Sequence, residues 1–166
     1  MTTTPSAPHE SRTLDHNEHQ KLCAVGETVS RTVRYSREEI SHFARLTFDD
    51  NPVHHDLQAA RRARHGDIIA AGQQTSGIMT GLAATYFSRN DGGVNREMLC
   101  LNFNFSYKLP VFAEQDLVLT WKVMSVEWNQ KLGGLVAQIE GDASVQPGMP
   151  SVIGRGTILV KQASDA

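Results

Sequence analysis

Between residues 99 and 161 the chain changes period, and that change limits what it can fold into. "LCLNFNFSY" sets Leu99, Leu101, Phe103, Phe105 and Tyr107 at every second position, the spacing of a strand with one apolar face. Three more strand-like runs follow at about 116–127, 134–145 and 151–161, with "WNQKLGG" and "QPGMP" as the turns between them. Upstream the period is helical. "SREEISHFARL" carries Ser36 and Glu39 at capping-box spacing and an apolar stripe of Ile40, Phe43, Ala44 and Leu46. The cluster around Pro52 is expected to end that helix, because proline disfavours helix at the residue before it.

In "AAGQQTSGIMTGLAATYFSRN" the residues Ile78, Met79, Leu82, Ala83, Tyr86 and Phe87 recur three and four apart, predicting a long helix buried under a sheet. Gly77 and Gly81 each weaken its intrinsic propensity by about 1 kcal/mol relative to alanine, so small residues four apart read as a close-packing surface. "ETVSRTVRYS" predicts a first strand at 27–36, and Asp56 a cap for a short helix running to about Arg64. Helices first and consecutive strands afterwards predict an α+β fold with an antiparallel sheet.

The 166 residues suffice for one domain with a real core. Residues 1–24 lack periodic apolar positions and are expected to form a mobile tail, leaving 25–166 as the single domain. His9, His16 and His19 in that tail read as solvated polar residues, since no scaffold fixes them as metal ligands. A formal charge of −2 lacks the basic excess of a nucleic-acid binder. No apolar run approaches a membrane span, and the N-terminus shows no secretory pattern. The two cysteines, Cys23 and Cys100, are too few for a disulfide framework or a cysteine zinc site, which makes the cytoplasm the expected compartment.

The stretch "FDDNPVHHD" holds two acid–histidine pairs with the same spacing, Asp49 with His54 and Asp50 with His55. On pattern alone it is a turn, because Asp and Asn accept local backbone hydrogen bonds and Pro52 fixes its own φ. Together with "LQAARRARHGDIIAAG" and "FSYKLPVFAEQD", however, it resembles the MaoC-like dehydratases, notably the (R)-specific enoyl-CoA hydratases, over about residues 36–162. The resemblance implies a hot-dog fold, an antiparallel sheet wrapped around one long helix.

The signature of that family is Asp-x-Asn-Pro-x-His, followed by a glycine at the start of the central helix. Asn51 and Pro52 set its register, so the acid falls on Asp49, the histidine on His54 and the glycine on Gly72. Asp50 is left as a turn residue and His55 as a surface or packing residue. Asn51, Thr80 and Lys108 are implied on the substrate side. Thr80 stands where related hydratases carry a serine that orients the polar pair, although a mid-helix threonine equally bonds back to a carbonyl. Ala71 departs from the histidine that many members carry before the glycine, a change that bears on local packing and substrate preference. Arg61, Arg62, Arg64 and Lys108 suit the phosphates of coenzyme A, or else a solvated helix face and a structural lysine. His42 and His65 read as surface histidines, and Trp121 and Trp128 as core or interface residues.

The implied activity is hydration of a trans-2-enoyl-CoA to a 3-hydroxyacyl-CoA of (R) hand, by a homodimer or higher homo-oligomer without metal or organic cofactor. Histidine titrates near neutral pH, and a carboxylate can hold the same water while its oxygen attacks C3 and a proton reaches C2. The backbone N–H of Gly72, at the positive end of a helix, suits the charge developing on the thioester oxygen. Two alternatives stay open: thioester hydrolysis of the hot-dog type, and a non-catalytic acyl-thioester-binding subunit.

Overall fold

The helical and alternating periods sort into separate layers in the computed structural model, which describes residues 22–91 and 94–163. The first part of the chain gives β1 (Thr28–Arg34), α1 (Arg37–Leu46), a 3-10 turn (Pro52–His54), α2 (Leu57–Arg62) and α3 (Gly72–Phe87). The second gives β2 (Asn90–Asp91), β3 (Val94–Tyr107), β4 (Asp116–Asn129), β5 (Gly134–Gln146) and β6 (Met149–Gln162). The strands form one antiparallel sheet in the order β1-β4-β5-β6-β3-β2. It curls around α3, which packs against β1, β3, β4 and β6, in the expected hot-dog arrangement.

The seat of the helix is cut into the sheet by missing side chains. Register sets Trp121 opposite Gly141, Gly141 opposite Gly154, and Gly154 opposite Phe105. A Cβ at Gly154 would lie 2.6 Å from the Trp121 ring and 2.8 Å from that of Phe105, and one at Gly141 would lie 2.6 Å from the same indole. With both absent, the indole has room in the core, and its Nε1–H donates to the Met79 carbonyl of α3 at 2.7 Å. Trp121 and Met79 are fully buried. Burying a side chain such as Met79 stabilises by about 1.5–3 kcal/mol, and the indole hydrogen bond fixes where along the sheet the helix rests.

β3 departs from the expected single apolar face. Its register shifts between Cys100 and Asn102, so Leu101 is an extra residue and the alternation breaks there. Phe103 and Phe105 pack against Trp121, at 5.4 and 6.2 Å between centroids. Leu99 and Leu101, which the alternation groups with them, stay 45% and 46% exposed.

The central helix is likewise covered on one side only. Met79, Leu82, Ala83 and Phe87 are buried, whereas Gln73, Gly77, Gly81 and Thr85 are exposed. Nothing lies within 4 Å of a Cβ built at Gly77 or Gly81, so among the described residues these glycines close-pack against nothing.

Leu22 and Cys23, expected in the tail, are buried in the core, so the folded body reaches back at least that far. Arg96 ties them in: one guanidinium nitrogen donates to the Leu22 carbonyl and pairs with Glu27, and the other donates to the Tyr86 carbonyl at the end of α3. Burial, reinforced by the charge of Glu27, pushes the Cys23 thiol up to about 12, which marks it as structural rather than reactive. His9, His16 and His19 lie outside the described residues. Among those described, no helix is long and apolar enough to cross a membrane.

Candidate active site

Asp49 owes its position to the way α1 stops. The N–H of Phe48 donates to the Arg45 carbonyl at 3.2 Å and that of Asp49 to the Ala44 carbonyl at 2.8 Å, the paired bonds of a Schellman C-terminus. Phe48 takes the left-handed position, φ 57°, usually held by glycine. The helix therefore ends at Leu46, short of the proline expected to stop it. Phe48 is 91% exposed, so burial within the chain does nothing to offset its backbone strain. Phe48→Gly is expected to raise stability by about 1 kcal/mol, read as a Tm higher by a few degrees in thermal denaturation. An unchanged Tm would show that the ring makes a compensating contact in the assembled protein.

From Asp49 the chain closes on itself through short loops. The Asn51 N–H donates to Asp49 Oδ1 at 3.1 Å, while Asn51 Oδ1 caps the 3-10 turn by accepting from Val53 N–H at 3.4 Å. Pro52 opens that turn, where its missing N–H costs nothing. Asn51 thus shapes the turn. His54 ends it, buried to 6% exposure, with Nε2 facing Asp49 Oδ2 at 3.5 Å. Asp50 and His55, the shifted pair, both face outward. Asp56 then caps α2, accepting from Gln58 N–H at 2.8 Å and Ala59 N–H at 3.0 Å.

The histidine ring is oriented from its other side. Nδ1 lies 2.7 Å from the Ile69 carbonyl oxygen. A carbonyl only accepts, so Nδ1 carries a proton, which leaves Nε2 as the nitrogen turned to the carboxylate. At 3.5 Å, Nε2 and the carboxylate are farther apart than an N–H···O bond.

Ile69 also joins this unit to the rest of the site. Its N–H donates to the Val53 carbonyl at 3.2 Å, and Ala70 N–H next to it donates to the Val111 carbonyl at 2.8 Å. Gly72 follows three residues on as the first residue of α3. The helix starts at Ala71 without a side-chain cap among the described residues, so its first-turn amides receive no acceptor from that side chain. The space that a Cβ on Gly72 would take is filled by the Tyr107 ring, 2.7 Å away at Cδ1. The Tyr107 hydroxyl in turn lies 3.1 Å from Ser76 Oγ on the next turn of α3.

A cavity of about 400 Å³ opens beside this glycine, lined by Arg64, His65, Gly72, Thr75, Tyr107 and Lys108 among others. Lys108 and Arg64 are thereby brought to the glycine, whereas Arg61 and Arg62 point to solvent at the end of α2. The Thr80 hydroxyl donates to the Ser76 carbonyl at 2.9 Å, the second of its two expected readings. On sequence alone His65 reads as a surface histidine and Tyr107 as a residue of an apolar strand face, and Ile69 passes unnoticed. The first two sit one residue beyond, and one before, basic residues that did draw notice; the third acts only through its backbone.

Residues 16–140 match the MaoC like domain family. The chain belongs to it. Membership places the protein among the hydratases and dehydratases. A protein called UPF0336 protein from Streptomyces griseus is 30% identical over 86% of this chain and 95% of its own length. The 3-hydroxyacyl-[acyl-carrier-protein] dehydratase FERN of Solanum lycopersicum mitochondria is 19% identical over 84% of this chain and 78% of its own. Among solved structures, the (R)-hydratase from A. caviae involved in PHA biosynthesis superposes with a TM-score of 0.69, covering 84% of this MaoC-like chain and 96% of the other at 24% identity.

Proposed function

We propose that the protein hydrates trans-2-enoyl thioesters reversibly to (R)-3-hydroxyacyl thioesters, carried on coenzyme A. The observation that carries this reading is Nε2 of His54 facing the Asp49 carboxylate at 3.5 Å, with the ring's other nitrogen bound to the Ile69 carbonyl. A water held between the two loses a proton to His54 as its oxygen attacks C3, and Asp49 stabilises the imidazolium so formed. The pair then returns a proton to C2. The thioester oxygen, with its growing negative charge, lies on the amide of Gly72. Arg64 and Lys108, both exposed at the mouth of the cavity, take the phosphates of the coenzyme. An acyl-carrier thioester, as in the name of the tomato relative, presents the same acyl group to the same atoms.

The working form in this proposal is a homodimer. Beyond its short pairing with β2, the outer edge of β3 is unpaired among the described residues. The open face of α3 and the exposed Phe48 await cover as well. A reducing cytoplasm suits the free thiols of Cys23 and Cys100.

Mixing the protein with crotonyl-CoA and, separately, with butyryl-CoA tests the reaction. Loss of enone absorbance without free thiol from the first, and no thiol from the second, is the expected result. Thiol release from the saturated ester with the enone untouched would replace hydration by thioester hydrolysis.

A further inference from the structure

The start of α3 is held from outside the helix. Gly72 follows an alanine that gives no side-chain cap, and glycine leaves the backbone freer than any other residue there would. Tyr107 supplies the missing constraint. Its ring occupies the place of the absent Cβ, with Cδ1, Cε1 and Cγ at 2.7, 2.8 and 3.1 Å from where that atom would stand.

The tyrosine is itself fixed at both ends. It ends the alternating aromatic run of Phe103 and Phe105 and is the member with a hydroxyl. Its backbone lies opposite Val152 of β6, and the next N–H, that of Lys108, donates to the Ser151 carbonyl at 2.8 Å. At the far end its hydroxyl lies 3.1 Å from Ser76 Oγ. Ser76 Oγ already donates to the Gln73 carbonyl at 3.2 Å, so the tyrosine hydroxyl is the donor of that pair. The ring borders the same cavity as Gly72, yet its one polar atom is spent on the helix.

Resting on the hydration reading, we infer that Tyr107 is a positioning residue for the oxyanion donor. It struts the start of α3 against the sheet, so that the Gly72 N–H keeps its aim while charge grows on the thioester oxygen. Such a donor works because it is fixed before the charge appears, and a misplacement of about 1 Å can cost about 10²-fold. Ser76 keeps the ring seated, and the ring keeps the glycine still. The effect therefore falls on kcat and spares ground-state binding.

The test follows crotonyl-CoA hydration by the wild-type protein and by Tyr107→Ala, Tyr107→Phe and Ser76→Ala, with calorimetric binding of butyryl-CoA beside it. Tyr107→Ala is expected to lower kcat about tenfold, with KM and butyryl-CoA affinity kept within about threefold. Tyr107→Phe restores the ring, so it and Ser76→Ala are each expected to lose only about threefold in kcat. Combining these two is expected to cost no more than either alone, since each removes the same hydrogen bond. Thermal denaturation checks the fold, and if Tyr107→Ala fails to fold this pair decides, with additive losses overturning the inference. A wild-type protein that leaves crotonyl-CoA untouched would overturn the hydration reading and the inference with it. Turnover by the wild type with an unchanged kcat in Tyr107→Ala would overturn the inference alone. A loss carried by KM and butyryl-CoA affinity would do the same, because the ring would then be a surface that binds substrate.

Discussion

Asp49→Asn and His54→Ala are each expected to lower the hydration rate by roughly 10²–10⁴-fold while leaving the protein folded. The asparagine keeps an oxygen for the Asn51 N–H that Asp49 Oδ1 now accepts, so the turn survives. Its amide nitrogen, however, replaces the carboxylate oxygen 3.5 Å from His54 Nε2. An N–H there donates to the lone pair that is to receive a proton from water, and the base is occupied by its own neighbour. His54→Ala removes the base outright and strips the Ile69 carbonyl of its donor, at a cost of about 1–3 kcal/mol. That is a part of the 5–15 kcal/mol typical of a folded domain, so a lower Tm with a cooperative melt is expected. Single-turnover loss of enone absorbance, beside thermal denaturation, separates rate from fold. Near-wild-type turnover in either variant would remove the pair from the mechanism.

Gly72→Ala is expected to cost about 10²–10³ in kcat, the usual loss for an impaired oxyanion donor. Its methyl group would meet Tyr107 Cδ1 at 2.7 Å and Cε1 at 2.8 Å. Half of the tyrosine is exposed, so its ring swings away more readily than the helix start retreats. The swing breaks the contact between the Tyr107 hydroxyl and Ser76 Oγ, and the new methyl crowds the side from which a thioester oxygen approaches the amide. Stability is expected to change little, because alanine gains about 1 kcal/mol over glycine in a helix and offsets the displaced ring. Steady-state kinetics on crotonyl-CoA reads the effect. A kcat unchanged from wild type would mean that the amide of residue 72 does not carry the developing charge.

Features written in side chains were legible in the sequence. Ser36 and Glu39 form both hydrogen bonds of the capping box that their spacing announced, and Asp56 caps the short helix after the turn. β4, β5 and β6 start and end within two residues of the alternating runs that predicted them. The pairing of Asp49 with His54 was visible only through the family resemblance, whose Asn-Pro sets the register; the residues by themselves left Asp50 with His55 at the same spacing. Features carried by the backbone were not legible. The extra residue at Leu101 looks like any other leucine in an alternating run, yet it moves Leu99 out of step with Phe103. The left-handed Phe48 escaped notice because glycine is the residue that advertises such a corner. The carbonyl of Ile69 has no letter of its own, although it determines which nitrogen of His54 bears a proton.

That isoleucine has a wider consequence. Asp49 and His54 are set against each other by ring closures six residues long, whereas the two hydrogen bonds made by the Ile69 backbone tie the histidine's turn to the segment that leads into Gly72. In the proposed mechanism the protein can therefore lose its aim while keeping its reagents. Disturbance of the nearby corner at Gly66, where φ is 77°, would slow turnover with no change in the pH profile, a defect of alignment that no inventory of reactive side chains would reveal.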